Sequence, residues 1–336
     1  MACTGCDYTL SEFLTQFIDS MSIEDYLVAH GVLRGEVNCT SCGRSCSLSV
    51  SKSGELFFRC NKGPRGNRCG FRKSARKGTF VGESTLSVKQ IVTFCSMWCL
   101  LPNPRHKILM KDVEIGPACV VDWSGFCRQV CVDWVLNNRR CIGGPGTIVE
   151  LDVSKFGCRK YSKGQRIKGQ WVFGGVERGN PRNFFLVPVK KRNVDTLRQI
   201  ITDWILPQTT IVSDCWKVYN AVQDKGFLNL RMNHSVEFVD TADSGEIHQD
   251  NLRHLGEQDI SVDTENANLD TQNVSLDTQN IKRKWLSLKY SIPTFGRRKE
   301  HFEGYFAEYI FKENYPHTRR ICEFFKRAAL LFPPPL

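Results

Sequence analysis

The chain has 336 residues, of which 41% are hydrophobic and 24% charged, and its net charge is +11. These proportions are typical of a soluble globular protein with two or three domains, and they exclude a fibrous or largely disordered chain. The positive charge favours an anionic partner, and nucleic acid rather than membrane, because the longest apolar stretch, near residues 92–101, is too short to span a bilayer.

The N-terminus shows no basic region followed by an apolar core, so no secretion signal is expected. The chain nevertheless contains 16 cysteines. In a reducing compartment, cysteines indicate zinc ligands and buried thiols rather than disulfides.

Charge is distributed unevenly along the chain. Residues 237–280 carry eleven acidic residues and one basic residue, whereas the remainder carries 45 basic and 24 acidic residues. The acidic segment contains a heptad duplication, SVDTENA, NLDTQNV and SLDTQNI, over residues 261–281. We interpret residues 237–280 as an acidic loop inserted into a more basic body.

Residues 1–38 are predicted to form two helices. Apolar residues recur at helical spacing between Leu10 and Ile18, and a second helix is predicted from Ser22 to Gly31. Cys3 and Cys6 form a CxxC pair with no second pair nearby, which favours thiols without a metal over a metal site.

Residues 39–80 resemble a small metal-binding module. Two cysteine pairs flanking a short hairpin can place four thiolates around one Zn²⁺, as in a zinc ribbon. The predicted ligands are Cys39, Cys42, Cys60 and Cys69, with Cys46 as a competing ligand and uncoordinated thiols as the alternative.

The same module is strongly basic, which predicts contacts with phosphates. Arg72 and Lys73 are the candidate DNA-binding residues here, and a solvated basic surface is the alternative. The basic set as a whole is Arg44, Arg59, Lys62, Arg65, Arg68, Arg72, Lys73, Arg76 and Lys77.

Residues 84–141 are predicted to be helical. A short helix over 107–113, a break at Gly116 and Pro117, and a longer helix over 118–138 follow the pattern of a DNA-binding helix-turn-helix. An ordinary helical bundle would show the same pattern.

Residues 147–236 alternate between strand and helix. A strand ends at Asp152, a basic connection follows, and a strand over 170–177 contains Gly174 and Gly175 where a bend or bulge is expected. Strands over 184–189 and 209–213 flank a helix over 194–204, and Asp214 follows the last strand. Two strand-end aspartates in one sheet are what a two-metal phosphoryl-transfer site requires, although single exposed aspartates are also common.

Several long phrases closely resemble Merlin-type DNA transposases and their bacterial insertion-sequence relatives. They are VELDVSKFGCRKYSKGQRIKGQWVFGGVERG, TIVSDCWKVYNAV and MNHSVEFVD, supported by FRKSARKGTF and DWSGFCRQVC. The resemblance extends from about Cys39 to Tyr315. It implies an α/β, ribonuclease-H-like DDE domain over 147–315, a preceding zinc ribbon and helical region, and a tail over 316–336.

The resemblance also implies a set of site residues and partners. Asp152 and Asp214 match the first two catalytic acids, which hold Mg²⁺ or Mn²⁺, and Zn²⁺ occupies the ribbon. Double-stranded DNA at transposon inverted repeats, a homo-oligomer and a nuclear location are expected, with no membrane partner. The basic connection supplies further DNA-binding candidates, namely Lys160, Lys163, Arg166 and Lys168.

The third acid of the family is missing from this chain. The family motif reads roughly HTNxIE, and its best match, DTQNIKRKW over residues 277–285, places Lys282 at the glutamate. A second fragment over residues 245–253 would place Arg253 there. A cation at a ligand position removes a donor oxygen and repels the metal. Glu265, Asp270 and Asp277 are candidate substitutes.

Three functions follow from these patterns. The chain is an active transposase, a transposase-derived DNA-binding protein with an inactive catalytic centre, or an unrelated zinc-dependent interaction protein. Lys282 discriminates between the first two, because two carboxylates and a lysine bind Mg²⁺ poorly.

Overall fold

A computed structural model describes residues 3–19, 22–61, 69–82, 84–157, 169–213, 227–231, 278–293 and 299–335. The chain divides into two compact units. Unit 1 comprises Met1–Arg139 and Leu288–Leu336, and unit 2 comprises Arg140–Ser287. Within the described ranges, no helix is both long and apolar enough to cross a lipid bilayer.

Unit 1 begins with the two predicted helices, α1 (Leu10–Asp19) and α2 (Ile23–Ala29). Ser22 caps α2, because its side chain accepts a hydrogen bond from the backbone N–H of Asp25. Phe13 and Tyr26 are buried and meet edge to face, with their ring centroids 5.1 Å apart.

The cysteine module is a four-stranded antiparallel sheet. Its strands β1 (Glu36–Asn38), β2 (Ser45–Val50), β3 (Leu56–Arg59) and β4 (Arg72–Ser74) lie side by side in chain order. Leu56 and Phe58 supply its buried face. With few apolar residues inside, a sheet of this size depends on a metal or on neighbouring elements for stability.

The predicted helical region contains α3 (Val88–Leu100), α4 (His106–Val113) and α5 (Pro117–Asn137). Ser87 and Gln90 form a capping box that fixes the start of α3, which is buried along most of its length. Pro117 occupies the first position of α5, where its missing N–H costs nothing.

Unit 2 is built on a five-stranded sheet. The strands are β6 (Ile148–Phe156), β7 (Gln170–Glu177), β8 (Asn180–Val189), β10 (Thr210–Ser213) and β11 (Leu228–Arg231), and a small pair joins β5 (Ile142–Gly143) to β9 (Ile205–Leu206). The spatial order is β11-β10-β6-β7-β8. β6, β7 and β8 form an antiparallel meander, and β10 and β11 extend it in parallel with β6.

Helix α6 (Val194–Trp204) covers one face of this sheet, with Val149, Leu151, Phe173 and Phe185 in the core beneath it. Successive side chains of a strand point to opposite faces, so Glu150 and Asp152 point to the other face. That face carries α7 (Gln279–Ser291), which begins in unit 2 and whose last turn belongs to unit 1.

The predicted bend at the two glycines of β7 is wrong. Gly174 and Gly175 lie inside a continuous strand, and the register shift falls between Val176 and Glu177. The glycines are needed for space, since a Cβ on Gly174 would lie 2.6 Å from the Trp285 ring and a Cβ on Gly175 2.5 Å from the Phe185 ring.

The C-terminal helices require a correction to the predicted boundaries. α8 (Phe302–Asn314) and α9 (Arg320–Leu331) both belong to unit 1, although α8 was assigned to the catalytic domain and α9 to a tail. α9 buries six residues against the core of unit 1, including Phe324 and Phe325. Residues 320–331 are therefore part of the core and not an appendage.

Candidate functional site

Asp152 lies within a strand and not at its end, as the sequence had suggested. It is the fifth residue of β6, which continues to Phe156. The neighbouring strand β10, however, ends at Ser213, which pairs with Leu151. Asp152 is therefore the first residue of β6 beyond the end of β10. In open α/β sheets, ligands bind at this edge, where the parallel strands end.

The carboxylate of Asp152 is half-buried and is held by two neutral donors. The indole Nε1–H of Trp285 donates to Oδ2 at 2.9 Å, and the backbone N–H of Val153 donates to Oδ1 at 2.7 Å. The Trp285 ring lies over Gly174, the β7 partner of Asp152, and meets Phe156 edge to face at 5.7 Å. These contacts fix the orientation of the carboxylate.

Glu150 is a second carboxylate on the same face, and sequence reasoning missed it. It is fully buried and accepts hydrogen bonds from the backbone N–H groups of Asn280 and Ile281, at 2.9 and 3.1 Å. Arg178 pairs with it at 2.7 Å, and the Asn280 side chain also donates to it. An anion at a helix N-terminus is stabilised by exposed N–H groups and the helix dipole, so Glu150 anchors the start of α7.

These two carboxylates set the register of α7 against β6. Glu150 contacts the first turn at Ile281, and Asp152 contacts Trp285 one turn later. Ile281, Trp285 and Leu288 are the apolar members of the buried stripe of the helix, which also contains Lys284, while Lys282 is exposed. Lys282 is on the first turn of α7. In the chain it lies between Ile281, which contacts Glu150, and Trp285, which contacts Asp152.

Several predicted site residues lie outside the described residues. They are Asp214, Arg253, Glu265, Asp270 and Asp277, together with Lys160, Lys163, Arg166 and Lys168 of the basic connection. Within the described part, no group of three metal-binding side chains converges at Asp152. The described residues alone therefore do not make a Mg²⁺ site, because a single aspartate is a poor donor set for this ion.

A basic surface lies at this end of the sheet on its α6 side, and its centre, where Arg192 stacks on Trp171, was not predicted from the sequence. The Arg192 guanidinium lies 3.8 Å from the centroid of the Trp171 ring, and the Lys155 ammonium lies 5.2 Å from it. Lys155 is three residues beyond Asp152, and Lys190 and Lys191 continue the exposed positive charge. We call Lys155, Trp171, Lys190, Lys191 and Arg192 the basic edge. Spacing between cations and aromatics is a weak signal, which is why it was missed.

The four predicted zinc ligands converge in the cysteine module. The Sγ atoms of Cys39, Cys42, Cys60 and Cys69 all lie within 4.8 Å of one another. Cys39 and Cys69 are 3.3 Å apart, and Cys42 and Cys60 are 3.5 Å apart. Thiolates around a tetrahedral Zn²⁺ lie about 3.8 Å apart, so small shifts admit the ion. Cys46, the competing candidate, is outside the cluster, with its Sγ 3.6 Å from the Arg44 carbonyl.

The environment of Cys39 favours a thiolate. Burial raises the pKa of the Cys39 thiol, but hydrogen bonds from Cys69 and from the backbone N–H groups of Ser41 and Cys42 outweigh it and lower the pKa to about 6. Zinc binds the thiolate form of cysteine, so this site suits the metal.

The basic residues of the module divide into two groups. Arg72 and Lys73 lie on β4, where Arg72 is exposed, stacks on Phe57 at 4.7 Å and pairs with Glu55 at 2.7 Å. Arg76 points inward, because its guanidinium donates to the carbonyls of Val81 and Leu86 at 2.8 and 3.0 Å. Arg76 therefore holds the chain after β4 and was wrongly grouped with the phosphate-contacting residues.

The helical region presents little positive charge on its longest helix. The exposed face of α5 carries Val121, Asp122, Phe126 and Gln129. Exposed cations lie on α4, at Lys107 and Lys111. A helix that approaches DNA needs cations to meet the phosphates, so α4 is the more suitable of the two.

The N-terminal CxxC pair has partners that its local sequence does not show. Cys3 and Cys6 do have partners, because His30 and Cys322 lie beside them, with all four ligand atoms within 4.8 Å of one another. The pairing could not be read from local spacing, since Cys322 is 319 residues from Cys3.

Unit 2 is a mixed α/β domain with an oriented aspartate and a basic edge at one end of its sheet. Residues 146–252 match the family model of the ISXO2-like transposase domain, which supports a DDE transposase family for this part of the chain. The matched residues include Asp152 and Asp214 and end before Lys282. No curated protein matches the chain.

Proposed function

We propose that this chain is a transposase-derived protein that binds double-stranded DNA and whose DDE-type catalytic centre no longer cleaves it. The transposase-domain match supports the descent. The observation that carries the loss of cleavage is the hydrogen bond from Trp285 to Asp152. It supports the alignment that places Lys282 at the third acidic position and disfavours the alternative at Arg253.

The fold we propose for unit 2 is ribonuclease-H-like. Its support is the strand order, a three-stranded antiparallel meander extended by two parallel strands from its first strand. A helix follows the third strand and another follows the fifth, as the proposed fold requires. In this arrangement the first two acids come from β6 and the chain after β10, and the third comes from α7.

In this alignment, Lys282 is the residue that we propose prevents metal binding. A third carboxylate on the first turn of α7 would add a donor oxygen beside Asp152, whereas a lysine adds a positive charge. Loss of one group from a set that acts as a unit costs orders of magnitude in rate. We expect the site to retain the shape of a transposase centre without its activity.

We propose that three groups of cations, two in unit 2 and one in unit 1, contact DNA. In unit 2, the basic edge lies on the α6 side of the sheet, opposite the face that carries Asp152, and the basic connection with Lys160, Lys163, Arg166 and Lys168 follows β6 in the chain. In unit 1, Arg72 and Lys73 belong to the cysteine module. Lysine and arginine release counterions from phosphates, so such binding is sensitive to salt. Transposon inverted repeats, a homo-oligomer and a nuclear location remain part of the proposal through the resemblance to transposases.

A mobility-shift titration of duplex DNA over a range of salt concentrations tests the binding. We expect a steep salt dependence, and Lys155→Ala/Arg192→Ala should reduce the slope of log K against log salt by roughly 1 per lost contact. Lys89→Ala, which removes an exposed lysine of α3, is the control. Binding that is insensitive to salt, or equally weakened by Lys89→Ala, would contradict the proposed surface.

The cysteine module is proposed to bind one Zn²⁺ through Cys39, Cys42, Cys60 and Cys69. Metal analysis should show that Cys39→Ser/Cys42→Ser loses one equivalent of zinc relative to the unmodified chain. Cys46→Ser is the matched control, because Cys46 is buried in the same module but lies outside the cluster. An unchanged zinc content in the double variant would contradict this proposal and favour the alternative, in which these cysteines bind no metal.

An active transposase is the second candidate function. Its support is the retention of Asp152 and Asp214 within the matched region. It requires another carboxylate to replace the one lost at position 282. Nicking of DNA that depends on Mg²⁺ and disappears in Asp152→Ala would favour it over the inactive form.

A further inference from the structure

We propose that Cys3, Cys6, His30 and Cys322 bind a second, structural Zn²⁺, which ties the N-terminal segment of unit 1 to its last helix. The four residues come from three separate places in the chain. Cys3 and Cys6 precede α1, His30 follows α2, and Cys322 lies on α9. All of them belong to unit 1.

The distances between the ligand atoms match a tetrahedral site. Cys3 Sγ lies 3.8 Å from Cys322 Sγ, and Cys6 Sγ lies 3.5 Å from His30 Nε2. With Zn–S near 2.3 Å and Zn–N near 2.05 Å, tetrahedral edges are about 3.8 Å between sulfurs and about 3.6 Å from sulfur to nitrogen. These two pairs already have tetrahedral separations, and the remaining pairs lie within 4.8 Å, so shifts of about 1 Å or less would let the four atoms surround the ion.

The imidazole of His30 is oriented as a zinc ligand. Its Nδ1 lies 2.7 Å from the carbonyl oxygen of Tyr26, which can only accept, so Nδ1 carries the proton. Nε2 then presents its lone pair to the cysteines. Zinc-bound histidines usually donate their other N–H in this way. The ring also stacks on Tyr26 at 3.9 Å, and both residues are buried.

The backbone around the cysteines holds the two thiols in place, and one N–H points at a sulfur. The N–H of Cys6 points at Cys322 Sγ at 3.4 Å, and the N–H of Cys3 donates to the Ala29 carbonyl at 2.8 Å. Gly5, between the two cysteines, has a φ of +139°, which an L-residue rarely adopts. These features form a C-x-x-C knuckle seated against α9.

The chemistry of the set favours zinc over a disulfide. A disulfide would use only two of the three sulfurs and would leave the third sulfur and His30 Nε2 outside the cross-link. The S–S separation of 3.8 Å between Cys3 and Cys322 is also far above the roughly 2.05 Å of a disulfide. Three thiolates and one imidazole fill the tetrahedron, and closed sites of this composition are structural rather than catalytic.

Such a site would close a very long loop, because its ligands are separated by up to 319 residues. Cross-links that close long loops remove the most freedom from the unfolded chain. Since zinc binds the folded arrangement and not a dispersed one, binding adds directly to the stability of unit 1.

Metal analysis of the full chain, purified in a thiol reductant, provides the test. We expect two zinc ions per chain, one in Cys3→Ser/Cys6→Ser, one in Cys39→Ser/Cys42→Ser and none when all four are changed. Cys141→Ser, at an exposed cysteine outside both clusters, should retain two. Unchanged zinc in a folded Cys3→Ser/Cys6→Ser variant would overturn the proposal.

A second measurement covers the case in which that variant fails to fold. Co²⁺ is substituted into Cys39→Ser/Cys42→Ser, so that only the proposed site absorbs. His30→Cys, which keeps four ligands, should retain one Co²⁺, and its thiolate-to-cobalt absorption should rise by about one-third as three sulfurs become four. No bound Co²⁺, an unchanged spectrum, or a two-proton mass loss from a disulfide among these cysteines would each contradict the proposal.

Discussion

Glu150 and Asp152 lie two residues apart on the same face of β6, yet their surroundings differ sharply. Glu150 is fully buried, pairs with Arg178 and accepts hydrogen bonds from backbone N–H groups at the start of α7. Asp152 is half-buried and accepts hydrogen bonds from the Trp285 indole and from the backbone N–H of Val153. A carboxylate neutralised by a cation and a helix terminus holds the fold together. One that is oriented but remains accessible is suited to bind a ligand.

Glu308 in unit 1 resembles Glu150 and not Asp152. It is buried, and Arg105, Lys312 and Arg128 surround it at 2.5, 3.0 and 3.2 Å. Arg105 and Lys312 also lie over the Trp98 ring. Three cations neutralise the Glu308 carboxylate. Its role is therefore structural, since it joins α8 to α5 and to the segment before α4.

The largest expected effect comes from removing the charge of Glu150. Glu150→Gln keeps the shape of the side chain but removes the buried negative charge that pairs with Arg178, and should cost about 3 kcal/mol of the stability of unit 2. Asp152→Asn, the matched change on the same face, should cost less than about 1 kcal/mol. Native-state hydrogen exchange of peptides from β6 and β7 measures both. Equal losses would remove the distinction between the two carboxylates.

Acid should destabilise unit 1 through Glu308. Burial opposes ionisation of its carboxyl group, but Arg105, Lys312 and Arg128 prevail and lower its pKa from 4.5 to about 2. Because the folded pKa is below the unfolded one, the ionised carboxylate contributes its full stability above pH 4.5, and this is lost as the pH falls towards 2.

Glu308→Gln isolates that contribution. The variant should be less stable than the unmodified chain at neutral pH, and the gap, about 3 kcal/mol by linkage, should narrow between pH 4.5 and 2. Hydrogen exchange of peptides from α5 and α8 across this range measures the gap. A gap that is independent of pH would show that the lost contacts are not electrostatic.

The smallest effect is expected from Trp285→Phe. This change keeps an aromatic ring against Phe156 but removes the N–H that orients Asp152, so it should cost about 1 kcal/mol. Trp204→Phe, on the α6 side of the sheet, is the matched control, because its ring stacks on Phe185 and has no contact with Asp152 among the described hydrogen bonds. If both variants change the rate of hydrogen exchange at β6 equally, the indole hydrogen bond to Asp152 has no special role.

Local patterns in the sequence were sufficient to predict several helices and strands and the cluster of four cysteines in the cysteine module. Strand and helix periodicity located β7, α6 and α5 closely, and pair spacing found the four cysteines that converge in the module. Asp152 was singled out because an aspartate in an apolar strand is conspicuous, and its catalytic role stays a prediction.

Contacts between distant segments could not be predicted in this way. Glu150 meets Asn280 across 130 residues, and Cys3 meets Cys322 across 319. Nothing in the sequence near Glu150 shows that a helix terminus will cover it. The return of α8 and α9 to unit 1 was missed for the same reason, since their apolar faces do not specify which core they join.

The most direct test of the account is a plasmid-nicking assay on Lys282→Glu, with Mg²⁺ or Mn²⁺ present. We predict that the unmodified chain does not nick the plasmid and that Lys282→Glu does. Adding Asp152→Ala to Lys282→Glu should abolish the nicking. Nicking by the unmodified chain that Asp152→Ala abolishes would contradict it, because the centre would then be active with a lysine at the third position.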